Sequence, residues 1–254
     1  VLKPHQDAYG RQLADYLDGR GGGCEIVERD DGFISIGSGP PAYLAPYQKW
    51  CSSQKKAMRF VRGRVLDIGC GAGRVALHLQ KKGHDVVGID NSPLSIRVCK
   101  KRGLKKARVL SITQVAATLG TFDTIVMMGN NFGLFGSFRR ARRLLKMMYR
   151  ITSERGRILA ESADPYNTEL PEHLDYHKRN RTKGRMSGQL RIRIRYNKLA
   201  TPWFDYLLAS RDEVRQILDG TGWEVPRFID GPGPTCIMVL EKAPLSGDRR
   251  ANDA

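Results

Sequence analysis

The 254-residue chain contains no apolar run long enough for a membrane helix: Thr124 to Met128 and Leu207 to Ala209 fall far short of the ~20 residues a bilayer needs. No charged start followed by an apolar stretch and a small-residue cleavage site stands near Val1, so neither a secretory leader nor a membrane partner is expected. Cysteine is scarce. Cys24, Cys51, Cys70, Cys99 and Cys236 are odd in number, scattered and without a CxxC pair, which reads as free thiols in a reducing, cytoplasmic compartment. Acidic residues are few as well: 26 Asp and Glu against 43 Lys and Arg leave a formal charge of +17. Such a basic protein attracts polyanions, nucleic acid and phosphorylated metabolites among them, without thereby being specific for any.

What is present is an alternation of elements. The first sixty residues read as a cap (1–62) of helix, hairpin and helix: "YGRQLADYLDG", then two short strands about Asp31-Gly32, then a helix from Pro46 to Val61 carrying Tyr47, Trp50 and Met58. From Arg64 the pattern is strict. Strands are expected at 64–68, 85–89, 107–110, 122–128 and 157–161, helices at 73–82, 93–102 and 138–151, and a short helix near 113–118. These strands are continuous β-branched runs, which implies burial on both faces and a parallel sheet. A helix at 211–218 and two strands, 223–229 and 235–240, close the domain (63–242); a polar tail occupies 243–254. The fold class is therefore α/β, a doubly wound, mainly parallel seven-stranded sheet with a C-terminal antiparallel strand pair.

The densest signal is "RVLDIGCGAGRVALHL", Arg64 to Leu79. A dinucleotide loop needs G-x-G-x-x-G, and here Gly69 and Gly71 fit but Arg74 stands where the third glycine belongs. Asp67 two residues ahead of Gly69, the glycines Gly69, Gly71 and Gly73, and Asp90 ending the next strand in "VVGIDNSPLSI" resemble the class I S-adenosylmethionine (SAM)-dependent methyltransferases. "FDTIVMMGNN" resembles that family's fourth strand. The resemblance spans roughly 40–165 and 210–242.

It implies SAM as cofactor, with Asp67, Gly69, Cys70, Gly71 and Gly73 around its methionine part and Asp90 and Asn91 at the ribose. Met128, Gly129 and Tyr47 complete the cofactor candidates. Ser92 suits an N-cap as well as a ligand contact. The family's acidic adenine contact after the third strand is missing from "VLSITQV", so Ile112 is expected to pack on the base, with Thr113 or Gln114 bonding it.

In-line methyl transfer needs alignment more than a special side chain, which leaves the acceptor hard to read. "GNNF" lacks the two prolines of nucleic-acid amino-methylating enzymes. Asn130 and Asn131 either orient the acceptor or brace the loop; with Glu161 and Tyr166 they form the catalytic candidates. Phe132, Asp164, His173, His177 and Trp203 are acceptor-binding candidates, although Asp164 also reads as a turn former before Pro165. His173 and His177 share a helical face with Glu172, but no third metal ligand is evident, and no metal is expected.

The stretch 165–205 reads as a lid insert containing a strand. Lys178 to Lys198 holds nine basic residues and no acidic one. In "QLRIRIRYN", Arg191, Arg193 and Arg195 share one strand face and Leu190, Ile192 and Ile194 the other. This row fits a small anionic acceptor, an RNA backbone or a plain solvated face, with Arg193 and Arg195 as its candidate contacts. The leading expectation is transfer to N or O of a small, anionic molecule under the lid, and the alternative is an RNA methyltransferase.

Overall fold

The computed structural model describes residues 1–21 and 23–243, so the tail expected beyond 243 lies outside the described residues. In chain order the elements are α1 (Ala8–Leu17), β1 (Ile26–Arg29), β2 (Ile34–Ile36), α2 (Gly39–Tyr43), α3 (Ser52–Ala57), β3 (Val65–Ile68), α4 (Arg74–Lys81), β4 (Val86–Asp90), α5 (Pro93–Lys101) and β5 (Ala107–Val109). They continue as β6 (Phe122–Met127), α6 (Phe138–Arg150), β7 (Thr152–Ala163), α7 (Pro171–Thr182), β8 (Gln189–Tyr196), β9 (Leu199–Ala200), β10 (Phe204–Leu207), α8 (Arg211–Leu218), β11 (Trp223–Asp230) and β12 (Thr235–Lys242).

Seven strands form the main sheet in the order β11-β12-β7-β6-β3-β4-β5. The five strands from β7 to β5 pair in parallel, and β12 lies antiparallel to both β7 and β11. The doubly wound sheet expected from the alternation is thus present. Its faces are covered by helices such as α6, whose Ala141, Leu144, Leu145 and Met148 are buried. Burying each of the larger three contributes about 1.5–3 kcal/mol.

Three local expectations change. The helix expected over 46–61 is broken into α3 between two 3₁₀ turns, because Trp50 and Cys51 are extended. The Trp50 indole donates to the Ala45 carbonyl at 3.0 Å and its ring packs on Tyr47 and His78, which pulls the chain straight. The helix near 113–118 is two 3₁₀ turns, Ile112–Gln114 and Ala117–Leu119. The fifth core strand, expected at 157–161, runs from Thr152 to Ala163: Thr152 pairs with Phe122 of β6, and β12 pairs with the other end as far as Thr235 opposite Ala163.

The largest change concerns the cap and lid, which share one sheet. β1 pairs antiparallel with β8 as well as with β2, giving a second sheet β10-β8-β1-β2 with β9 on β8. Residues more than 160 positions apart are cross-strand neighbours here, Glu28 opposite Arg193 and Ile26 opposite Arg195. Helix α1 packs on α5 and β8 and so fastens this sheet over the main one.

Candidate functional site

The loop between β3 and α4 is shaped by glycine. Gly69 and Gly71 have φ of +70° and +53°, a region that side chains beyond glycine adopt at a cost. A Cβ on Gly69 would lie 2.6 Å from the Asn131 amide nitrogen, so this position also lacks the room for one. The Asn131 amide donates to the carbonyls of Ile68 and Gly69 at 3.0 and 2.9 Å. Of the two readings left open for Asn131, bracing the loop is the one its bonds describe.

Asp90 faces the loop from the end of β4. Its carboxylate accepts the Gly71 and Ser92 N–H groups, both at 2.9 Å. Ser92 caps α5 by accepting the Ser95 N–H, and its hydroxyl donates to Asp7 at 2.6 Å. Asp7 also accepts the Leu94 and Gly10 N–H groups, at 2.9 and 3.1 Å, so one buried carboxylate ties α1 to the loop after β4. Burial pushes Asp90 up to about 6 and Asp67 up to about 7, with backbone donors offsetting part of the effect.

Both shifts are upward, so the folded chain keeps protons that the unfolded chain has released, and stability falls as pH rises from about 4 to 7. Ligand binding carries the opposite sign. A ribose donating hydroxyl hydrogens to Asp90 requires the carboxylate. SAM affinity should therefore weaken as pH drops through about 6, by at most about tenfold per pH unit for one group. Calorimetry between pH 5 and 8 checks this, and Asp90→Asn should flatten that part of the profile.

Two cavities meet at this loop. The larger, about 290 Å³, is lined by Ile68, Gly69, Asp90, Asn91 and Ile112 from the main domain, by Leu2 and Tyr9 from the cap, and by Ile194, Phe204 and Asp205 from the lid. The smaller is lined by Asp67, Gly69, Cys70, Gly71, Met128 and Gly129, with Tyr9, Tyr43 and Arg74 as its walls. Tyr9, Gly69 and Asn131 border both. Together the two cavities reach from Asp90 to Gly71, and the N-terminus of α4 lies at the Gly71 end, where a carboxylate is favoured.

Of the cofactor candidates, Asp67, Gly69, Cys70, Gly71, Asp90, Asn91, Ile112, Met128 and Gly129 line these cavities. Three do not. Gly73 is the left-handed N-cap of α4. Thr113 shares a hydrogen bond with Ser111, and Gln114 accepts the Ser111 N–H; both belong to a capped, exposed turn. Tyr47 stacks on His78 at 4.1 Å, on the outer side of α4.

The four catalytic candidates hold the site or lie away from it. Asn130 sits in the left-handed region at φ +60°, its carbonyl accepting the Tyr206 hydroxyl at 2.5 Å. Glu161 accepts the Gly129 N–H at 2.7 Å and the Gln54 amide at 3.0 Å. Gln54 in turn accepts from Arg74 at 2.9 Å, and Arg74 lies over the Trp50 ring at 4.6 Å. Tyr166 is about half exposed and donates to Glu213 on α8, away from both cavities.

None of the acceptor candidates lines either cavity. Phe132 is fully buried in the core against Phe135. Asp164 borders a separate pocket with Arg211, Asp230 and Cys236. His173 bonds the Thr168 hydroxyl and packs on Phe33, while His177 packs on Tyr166. Trp203 lies under the Arg193 guanidinium. The arginine row is paired: Arg193 and Arg195 share Glu28, and Arg191 meets Asp205 at 3.3 Å. The cross-strand position of Glu28 explains this, and only the unforeseen β1–β8 pairing puts it there.

Sequence reasoning missed Tyr9, Tyr43, Arg140 and the lid residues Phe204 and Asp205. The alternation of "QLRIRIRYN" carried a usable signal for Ile194, since the aliphatic face is the one turned inward.

Residues 65–156 match the family described as "Methyltransferase domain". A protein of Geobacillus sp. (strain WCH70), named provisionally as a methyltransferase, is 26% identical over 138 residues, covering 51% of this chain and 55% of its own. The 2-heptyl-1-hydroxyquinolin-4(1H)-one methyltransferase of Mycobacteroides abscessus is 39% identical over 72 residues, 26% of this chain and 32% of that one. The chain spans about half the length, or less, of these curated relatives. The crystal structure of a SAM-dependent methyltransferase from Bacteroides fragilis with S-adenosyl-L-homocysteine superposes with a TM-score of 0.81 at 25% identity, over 96% of this chain and 98% of that one.

Proposed function

Starting from a chain that carries a class I SAM-dependent methyltransferase domain, we propose that it transfers the methyl group of SAM to a nitrogen or oxygen of a small molecule held beneath the cap–lid sheet. The observation that carries this reading is the pair of confluent cavities beyond the C-terminal ends of β3, β4 and β6, roofed by residues of the cap and the lid. Bound there, SAM supplies an electrophilic methyl on a sulfonium. The new bond to N or O forms as the sulfur–carbon bond breaks, and the acceptor proton leaves to solvent or a nearby base.

The chain's own part is alignment. Asp90 and the glycine loop hold the donor, Asn131 and Glu161 fix the loops on either side, and the tyrosines wall the smaller cavity. Behind Tyr43 lies Glu25, only 2% exposed, which accepts from Tyr43 and from Gln12. Burial and Glu25 raise the Tyr43 phenol far above its usual value, so it stays protonated. Two buried carboxylates, Glu25 and Glu161, near the methyl end favour a neutral amine or hydroxyl acceptor over the anionic one expected from the arginine row. The internal pairing of Arg193 and Arg195 likewise weighs against an RNA backbone along that row.

Incubating the protein with methyl-labelled SAM and fractionated cell extract tests the proposal. Label should appear in the small-molecule fraction. Label confined to RNA or protein would overturn the small-acceptor reading.

A further inference from the structure

At the outer end of the larger cavity the expected base contacts are engaged elsewhere. Thr113 and Gln114 bond Ser111, so neither is aimed at a ligand. Besides Asp90, two charged side chains border the cavity, Arg140 from α6 and Asp205 from β10. They are neighbours: a Cβ built on Gly136 would lie 3.3 Å from Nη1 of Arg140 and 3.4 Å from Cβ of Asp205.

Arg140 is oddly placed for a structural residue. It sits in the first turn of α6, where a cation opposes the helix dipole and no acidic residue offsets it. Its Nε is buried without a hydrogen-bond partner, and its guanidinium makes no ion pair within 4 Å among the described residues. Burial lowers its pKa, and Asp205 is the charge that counters this. An unpaired buried donor costs about 1–3 kcal/mol unless something arrives to accept from it. Asp205 is half committed: Oδ1 takes Arg191 at 3.3 Å, and Oδ2 has no protein donor among the described residues.

We propose that Asp205 and Arg140 together read the adenine edge of the cofactor, Asp205 accepting the 6-amino N–H and Arg140 donating to N7, which stays an acceptor in the 6-oxo base. An acceptor next to a donor complements the amino donor and ring-nitrogen acceptor that adenine presents side by side. The assignment rests on the cofactor reading above. It replaces the acid missing after β5 with one carried by the lid, so recognising the base and seating β10 over the cavity become the same contact.

Calorimetry with S-adenosylhomocysteine and its deaminated 6-oxo analogue, S-inosylhomocysteine, tests this without turnover. Wild type should prefer the adenosyl ligand by at least about tenfold, since the 6-oxo group faces the Asp205 carboxylate. Asp205→Asn can pair with either group, so the preference should shrink to within about threefold, and Asp205→Glu should restore most of it. Arg140→Gln should weaken S-adenosylhomocysteine about tenfold with an unchanged circular dichroism spectrum. An equal affinity of wild type for the two ligands, or a preference that survives Asp205→Asn, overturns the assignment while leaving the cofactor reading in place. Failure of wild type to bind either ligand would overturn the cofactor reading and this inference with it.

Discussion

Asp90→Ala should weaken SAM binding by two to three orders of magnitude. On the proposed function the carboxylate accepts both ribose hydroxyls, and hydrogen bonds to a charged group contribute about 1.5–3 kcal/mol each. Two of them at the lower end already amount to a hundredfold. The same side chain holds the Gly71 N–H at 2.9 Å, so its loss also slackens the glycine loop against which the methionine part lies. The weakening should not come from unfolding. Burial raises Asp90 to about 6, meaning that the ionised group costs the empty protein stability at neutral pH. Removing it relieves that cost while leaving the Gly71 and Ser92 N–H groups without their acceptor, and the two effects offset in part. The melting temperature of the ligand-free variant should stay within a few degrees of wild type while calorimetric affinity collapses. Unchanged affinity for SAM would sink the placement of the ribose at Asp90.

That residue belongs to the part of the site that could be read from sequence. Asp67, Gly69, Gly71 and Asp90 sit at the ends of two adjacent parallel strands, where local spacing fixes spatial neighbourhood. The strand–loop–helix unit around them folds from residues close in the chain, so the pattern survives as text. The roof over the cavity has no such local signature. Glu28 and Arg193 are cross-strand partners 165 positions apart, and nothing in "ERDDG" announces a partner in "RIRIRY". From sequence alone the arginine row therefore fits a small anionic acceptor, an RNA backbone or a solvated face, whereas in the structure its charge is largely met by Glu28 and Asp205. Tyr166 and the two histidines lie away from both cavities for a related reason. They follow β7, whose end does face the cleft, but Pro165 and the turn after Asp164 carry the chain toward α8, where Tyr166 meets Glu213. The break at Trp50 of the second helix expected in the cap is hidden in the same way, since an indole bond to Ala45 and packing on His78 override a helical pattern. Asn131 shows the opposite case, a residue whose type and position were legible while its bonds were needed to choose between two roles.

Glu161→Ala should damage both stability and turnover. Glu161 is 6% exposed on a central strand, and its carboxylate gathers the Gly129 N–H at 2.7 Å and the Gln54 amide at 3.0 Å. Through Gln54 it reaches Arg74, which desolvation already disfavours as a cation and which Glu161 supports more than any other charge. Truncation thus leaves two donors without an acceptor and a mostly buried guanidinium without its main counter-charge. Each unpaired donor costs about 1–3 kcal/mol, and stripping a partner from a buried charge costs more, so a loss of about 3–5 kcal/mol is expected. For a chain of this size that corresponds to a fall of roughly 6–20 °C in melting temperature. Function should suffer differently from stability. Gly129 borders the smaller cavity, which on the proposed function holds the methyl end of SAM, so freeing its N–H would loosen the loop that sets methyl against acceptor, while Asp90 and Gly71 keep their bond. Transfer rate at a temperature where the variant is folded should drop about ten- to a hundredfold, with S-adenosylhomocysteine affinity within about fivefold of wild type. Glu161→Gln separates the two roles. It still offers an oxygen to Gly129 but cannot offset Arg74, so it should recover much of the transfer rate and little of the stability. An alanine variant that melts with wild type, or one that loses cofactor affinity as steeply as turnover, would show that this carboxylate does not hold the acceptor loop.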